Sequence, residues 1–263
     1  MESKTLTYSR YLCLDELLAL QRPRSEGPEH DETLFIVVHQ VYELWFKQIL
    51  HEVGLLRQRF AEDDQSGILH TLKRILTILK TLVAQVDVIE TMTPVSFASF
   101  RQRLESASGF QSLQFRLLEF ALGRKNPDAV TSQPPGSEAR RRLEEGSAEP
   151  DVFHAFLAFL ARRGLPVPAA ALARDPRVAI TESPEVQEVI LSIYRRDPSL
   201  AQVCERLVDL DEGIQEWRYR HVKMVERTIG SKPGTGGSSG VDYLRTTLFR
   251  PLFPDLWAIR SRL

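Results

Sequence analysis

The strongest constraint on the fold is a long helical pattern that leads into a glycine-rich loop. Between residues 207 and 228, mostly apolar positions recur at alternating spacings of three and four, which is the period of one helix face. The stripe consists of Leu207, Leu210, Ile214, Trp217, His221, Met224 and Thr228. The loop that follows reads G-T-G-G-S-S-G over residues 234–240. We therefore expect a long helix, beginning at Pro198, with one face against the core.

His221 interrupts this stripe at a position where leucine would pack better. A histidine in such a place is usually satisfied by one internal hydrogen bond. The alternative is a ligand to a metal or to haem iron, because the faces of a haem favour apolar neighbours. The sequence contains neither Glu-x-x-His nor His-Glu-x-x-His, so a di-iron bundle and a zincin site are not indicated. Both interpretations of His221 remain open at this point.

The rest of the chain also has helical periodicity, punctuated by proline and glycine. No segment sustains an alternation with period two, so no strand is predicted. We expect further helices over residues 8–21, 29–60, 66–90, 93–104, 110–122, 137–145, 150–163, 184–196, 241–248 and 254–260. The predicted fold class is all-α, with long antiparallel helices in one domain over residues 1–263. The polar segment 124–150 is predicted to be an excursion within that domain.

Composition excludes several classes of function. The 34 lysine and arginine residues balance 35 aspartate and glutamate residues, so neither nucleic acid nor a membrane surface is indicated as a partner. The two cysteines have no Cys-x-x-Cys spacing, and neither a disulfide framework nor a zinc site is indicated. The N-terminus lacks the apolar segment of a signal peptide, and no apolar run reaches membrane-spanning length. We expect a cytoplasmic protein.

A second histidine, His39, lies where the apolar and polar arcs of its predicted helix meet. Its neighbours on the helix include Phe35, Tyr42 and Glu43. One interpretation is a boundary histidine that pairs with Glu43 one turn later. The other is a polar group that faces an aromatic cavity and orients one N–H of a ligand.

Arg101 and the glycine-rich loop complete the set of unusual features. Arg101 shares a predicted helix face with Phe97 and Phe100. It either extends to the surface from that face or binds a substrate carboxylate with its planar guanidinium. The loop is not a Walker A motif, because no Gly-Lys-Ser/Thr follows. By itself it is equally compatible with a mobile surface loop.

Five blocks together resemble the tryptophan 2,3-dioxygenase family. They are L-T-Y-S-R-Y-L-C-L-D-E-L-L-A-L-Q (6–21), H-D-E-T-L-F-I-V-V-H-Q-V-Y-E-L-W-F-K (30–47), T-P-V-S-F-A-S-F-R (93–101), S-G-F-Q-S-L-Q-F-R (108–116) and the stretch from W-R-Y-R-H to the loop (217–240). The resemblance implies an all-helical enzyme containing haem b, active with ferrous iron. Its reaction would be cleavage of the indole C2–C3 bond of L-tryptophan with O₂ to N-formyl-L-kynurenine, the first step of the kynurenine pathway.

The resemblance also implies roles for individual residues. His221 would be the proximal iron ligand, with Trp217 beside the cofactor and Ser108 over its distal side. His39 would accept the indole N–H, as an orienting partner or a base, and Phe35 would pack on the indole ring. Arg101 would bind the substrate carboxylate, Thr235 would contact the ammonium and carboxylate, and Phe97 would stand where some relatives carry tyrosine.

The resemblance also implies a homotetramer, arranged as a dimer of dimers. Residues 1–21 would pack on a neighbouring subunit, where Tyr8, Tyr11 and Leu12 would line the pocket.

Two other classes of function remain as alternatives. One is a haem-dependent hydroxylase of tyrosine-like substrates, and the other is a non-catalytic haem sensor or helical interaction module.

Overall fold

The computed structural model describes residues 5–27, 29–235 and 239–263. Over these ranges the chain forms α-helices, short 3-10 turns and no strand, so the all-α prediction is confirmed. The helices are α1 (Tyr8–Leu12), α2 (Leu14–Leu18), α3 (Asp31–Ala61), α4 (Gln65–Ile89), α5 (Pro94–Arg101), α6 (Leu113–Ala121), α7 (Pro127–Thr131), α8 (Glu138–Ala148), α9 (Val152–Arg162), α10 (Ala169–Leu172), α11 (Pro184–Arg196), α12 (Pro198–Ile229), α13 (Val241–Arg245) and α14 (Pro254–Ala258). None of these helices has the length and apolar character that a membrane crossing requires.

The three longest helices, α3, α4 and α12, form the centre of the molecule. Helices α3 and α4 are antiparallel, because the Tyr42 hydroxyl donates to the Leu82 carbonyl while Arg74 pairs with Glu52. Helix α12 runs in the same direction as α4: Gln65 bonds to Ser199 at one end and Arg220 to Asp87 at the other. The long helices are therefore not all antiparallel.

Apolar spacing explains why α4 is the central helix. The Asp64 side chain accepts a hydrogen bond from the Gly67 N–H and caps its N-terminus. Apolar side chains then recur at helical spacing, and each of these is buried: Ile68, Leu72, Ile75, Leu79, Leu82, Val86 and Ile89. Burial of each such side chain contributes about 1.5–3 kcal/mol relative to exposure. Neighbouring helices cover α4 on both sides, and they provide the walls in which a site can form.

The N-terminal prediction of one helix over residues 8–21 is wrong. Two five-residue helices replace it, separated by Cys13 in the left-handed region at φ 51°. The Cys13 N–H donates to the Arg10 carbonyl, as in a helix C-cap. Apolar periodicity continues through this break, and periodicity alone does not reveal it.

The predicted helix over residues 110–122 also begins differently. A 3-10 turn covers Gly109–Gln111, and α6 starts only after Ser112, whose side chain accepts from the Phe115 N–H. A capping serine inside the predicted span is thus the reason for the later start.

Segment 124–150 is packed against α6. Ala129 and Leu143 are buried with Phe120, and the Lys125 ammonium donates to the carbonyls of Gly146 and Glu149. Helices α7 and α8 therefore lie on the main helical body, with the predicted polar side chains mostly on their outer faces.

Candidate functional site

A cavity of about 270 Å³ lies between α3, α5, α12 and the glycine-rich loop. It is lined by residues from both ends of the chain, which only the fold brings together. Eight residues singled out in the sequence contribute to its wall: Phe35, His39, Phe97, Arg101, Ser108, Trp217, His221 and Thr235. The last four turns of α12, together with α13, supply much of the remaining wall.

His221 enters the cavity from α12. Its ring stacks on that of Trp217, with centroids 5.3 Å apart and an angle of 12° between the planes. Burial lowers the pKa of His221 to about 4, and the positive charges of Arg116 and Arg218 act in the same direction. The imidazole is therefore neutral near pH 7, the form in which a histidine donates a nitrogen lone pair to a metal. No hydrogen bond engages this ring among the described residues.

His39 enters the same cavity from α3. The predicted alternative pairing with Glu43 does not form; instead, the Nδ1–H donates to the Phe35 carbonyl at 2.7 Å. The accessible surface of His39 opens into the cavity, yet surrounding atoms are close enough for burial to lower the pKa of the ring. A neutral ring with its proton on Nδ1 leaves Nε2 as an acceptor.

Three phenylalanines form an aromatic wall beside His39. The Phe35 ring lies 4.1 Å from the His39 ring, centroid to centroid, and 5.8 Å from that of Phe97. Phe100 is fully buried behind them. The wall offers a flat aromatic ligand contact on one side and one hydrogen-bond acceptor at its edge.

Arg101 and Thr235 connect the loop to this wall. The Arg101 guanidinium donates to the Pro233 carbonyl at 2.5 Å, and the Thr235 hydroxyl donates to the Ala107 carbonyl at 2.6 Å. Gly240 has φ +64°, and a Cβ there would lie 2.6 Å from the Lys232 carbonyl oxygen, so this turn requires glycine. Residues 236–238 of the predicted loop lie outside the described residues.

Tyr8, Tyr11 and Leu12 do not line this cavity. All three are exposed on α1, with 76% of Tyr8 and 71% of Tyr11 accessible. Leu6, Leu17, Leu18 and Leu20 are exposed as well. None of the described residues buries them, and their predicted role in a neighbouring pocket stays a prediction.

The donor set fits a haem. The described residues contain no cluster of three or more His, Cys, Asp or Glu side chains suited to a metal ion. An iron at His221 would thus need most of its ligands from a prosthetic group. The wall around His221 includes the apolar side chains that the faces of a porphyrin favour, such as Val222, Val225 and Ile229.

Sequence reasoning missed a group of charged residues on the same wall. Arg116 and Arg218 both bind Glu119, and all three side chains are buried and line the cavity. In the structure, residues 217 and 218 are both buried, so the buried arc of α12 is wider than the single predicted stripe. No apolar spacing marks Arg218, because its partner Glu119 is distant in the chain.

The chain is similar to known proteins over its whole length. The family model described as Tryptophan 2,3-dioxygenase matches residues 1–165 and 138–263. A protein named Tryptophan 2,3-dioxygenase from Anaeromyxobacter sp. (strain K) is 60% identical over 99% of this chain and 97% of its own length. Proteins with the same name from Herpetosiphon aurantiacus and Caulobacter vibrioides are 56% and 45% identical, each over 99% of this chain and their full length.

Proposed function

Since the chain belongs to the tryptophan 2,3-dioxygenase family and has its activity, the oxidative opening of the indole ring of L-tryptophan by O₂, we propose the following roles for the residues of the cavity. The observation that carries them is one cavity in which His221 and His39 from two helices meet Arg101 and the loop.

His221 is the protein ligand of the iron of haem b. Its ring is neutral near pH 7, stacks on the ring of Trp217 and has no competing hydrogen bond among the described residues. The haem, when bound, supplies the ferrous iron with which O₂ reacts. Ser108 lines the same cavity from the turn before α6 and would lie over the bound haem on its distal side.

His39 orients the substrate. Its Nε2 accepts the indole N–H, because Nδ1–H is already donated to the Phe35 carbonyl. Phe35 and Phe97 pack on the indole ring and exclude water from it. With no hydroxyl at Phe97, no side-chain hydrogen bond to the substrate comes from that position.

Arg101 binds the carboxylate of L-tryptophan. Its guanidinium is half-buried at the cavity and already holds the loop through the Pro233 carbonyl. A carboxylate at this point would accept charge-assisted hydrogen bonds from the same group. Thr235, held against Ala107 by its hydroxyl, contacts the substrate ammonium and carboxylate from the loop side.

The assembly is a homotetramer, a dimer of dimers, in which Tyr8, Tyr11 and Leu12 complete the pocket of a neighbour. The support is the exposed apolar surface of α1 and α2, which a soluble monomer would avoid.

Residues 1–263 form one domain, supported by a buried cluster that extends from Phe46 on α3 to Ile259 after α14. The two cysteines are unpaired, which fits a reducing cytoplasm.

The experiment that tests the haem site is the variant His221→Ala. Wild-type protein purified with haem should show the spectrum of a histidine-bound haem that changes when L-tryptophan is added under reducing conditions. His221→Ala should lose the haem or change its coordination. His154→Ala is the matched control, since His154 lies on α9 away from the cavity. An unchanged haem content and spectrum in His221→Ala would refute the assignment.

A further inference from the structure

Three arginines surround one glutamate beside the cavity. Glu119 accepts hydrogen bonds from Arg116 Nη1 and, at 2.6 Å, from Arg218 Nη2. The Arg124 Nε lies 3.8 Å from the same carboxylate. The side chains of Arg116, Glu119 and Arg218 are only 9%, 5% and 6% exposed. We call these four residues the Glu119 cluster.

The charges of the Glu119 cluster do not balance. Three guanidinium groups share one carboxylate, and within the described ranges none of the three forms an ion pair with another acid. Burying an uncompensated positive charge is costly, whereas apolar side chains of similar volume would pack these helices at no such cost. The surplus of positive charge is therefore a feature that packing alone does not explain.

The surplus positive charge lies in the same cavity wall as His221. Arg218 lies three residues before His221 on α12, so the two side chains are neighbours along one side of the helix. Arg116, Glu119 and Arg218 line the cavity together with His221. Arg116 is fixed there by the Phe110 carbonyl and by the Phe110 ring, 4.6 Å from its guanidinium carbon.

We propose that the Glu119 cluster raises the reduction potential of the iron bound at His221 and thereby favours the ferrous form, an inference that rests on the proposed haem site. A fixed positive charge in a poorly screened interior favours the state of the iron that carries one positive charge less. Accordingly, the members of the cluster are tuning and positioning residues, which act on the iron through space and do not ligate it.

Variants that change the net charge of the Glu119 cluster in opposite directions test the proposal. Glu119→Gln removes one negative charge, so the net charge of the cluster rises by one and the midpoint potential of the Fe(III)/Fe(II) couple should rise. The potential is measured by following the haem absorption while dithionite delivers one electron per iron. Arg218→Met removes one positive charge and should lower the potential. The double variant Arg218→Met/Glu119→Gln has the wild-type charge and should return towards the wild-type potential.

A nearby exposed charge provides the matched control. Arg220 precedes His221 directly, but its side chain is 30% exposed and paired with Asp87 at 2.6 Å. Arg220→Met should shift the potential less than Arg218→Met, because water and salt screen exposed charges. If Arg218→Met does not fold, Arg116→Met makes the same change in charge from the other side of Glu119.

The possible outcomes separate the two proposals. Opposite shifts in the single variants, with the double variant between them, support the inference. Shifts of one sign, or shifts no larger than that of Arg220→Met, in variants that hold haem through His221 would overturn it while leaving the haem site intact. A wild-type chain that binds no haem would refute the proposed haem site, and this inference with it.

Discussion

At the scale of single residues, the state of His39 decides what that side chain does. Its Nδ1–H is committed to the Phe35 carbonyl, and burial favours the neutral ring. A neutral Nε2 can accept the indole N–H and fix the orientation of the ring in the cavity. Removal of the indole proton is not needed for attack on the electron-rich C2–C3 bond, so we expect His39 to orient the substrate.

The variant His39→Ala should therefore retain measurable turnover of L-tryptophan, with a higher KM. The loss of one hydrogen bond of this kind costs about 0.5–1.5 kcal/mol. The variant should also accept N1-methyltryptophan better than the wild type does, because the methyl group no longer meets an imidazole. Steady-state kinetics with both substrates measures this change of preference.

Glu43→Gln is the matched control for His39. Glu43 lines the same cavity one turn further along α3 but forms no hydrogen bond with His39. It should keep the wild-type preference between the two substrates. If His39→Ala instead abolishes turnover while still binding L-tryptophan, His39 is an essential base and the orienting role is wrong.

At the scale of elements, α12 lines the cavity with its last four turns and anchors the C-terminal segment through Asp211, which precedes those turns. Asp211 is fully buried, and its Oδ2 accepts hydrogen bonds from the Leu252 N–H at 2.8 Å, the Phe253 N–H at 3.0 Å and Trp257 Nε1 at 2.9 Å. Gln215 Nε2 binds the other oxygen. One carboxylate thus holds the segment that leads into α14.

Asp211→Ala should lower the free energy of unfolding by about 3–5 kcal/mol, because three buried donors lose a charged partner. Urea unfolding, followed by circular dichroism, measures the change. Asp209→Ala is the control: Asp209 is on the same helix but pairs with Arg206 at the surface, and its loss should cost about 0.5 kcal/mol or less. Equal effects of the two changes would show that Asp211 does not anchor the C-terminal segment.

The elements also show what the sequence can and cannot predict. Periodicity located α3, α4 and α12, because each has a continuous apolar stripe and few breaks. It also marked His221 within an apolar stripe, Arg101 on an aromatic face and His39 at the boundary of two arcs, and the fold brings all three to one cavity. Local spacing therefore indicated which residues to consider, while their roles came from the family resemblance and stay predictions.

The features that the sequence did not reveal depend on partners distant in the chain. Asp211 and Arg218 look like ordinary charged positions of a helix until the C-terminal segment and Glu119 are placed beside them. The break at Cys13 depends on one backbone angle and changes no apolar spacing. Such effects arise from tertiary contacts or from single dihedral angles, and a periodic pattern contains neither.

At the scale of the whole molecule, the two N-terminal helices leave large apolar side chains exposed to solvent. Helices α1 and α2 bury no residue, although they carry Tyr8, Tyr11, Leu12, Leu17 and Leu18. The following segment is nevertheless fixed to α3, because Glu32 accepts from the Arg24 and Ser25 N–H groups and Gln21 donates to Gln40. We call residues 5–20, which precede this fixed segment, the N-terminal arm. The arm extends from the rest of the chain near His39, and its exposed apolar side chains could be covered by a neighbouring subunit.

If each pocket is completed by the arm of a neighbour, two inactive variants should complement each other. One is His221→Ala, which lacks the iron ligand, and the other is Tyr8→Ala/Tyr11→Ala/Leu12→Ala, which lacks the apolar surface of α1. Mixed oligomers, formed after dissociation and reassembly, contain pockets with an intact His221 from one chain and an intact arm from the other. Activity and tryptophan affinity should therefore return in part, whereas reassembly of either variant alone should restore neither.

As a control, the His221→Ala chain is reassembled with a chain that carries both sets of changes. This mixture should stay inactive because no pocket has an iron ligand. If mixed oligomers of the two single-defect chains form and remain inactive, the arm serves its own subunit and the shared pocket is wrong.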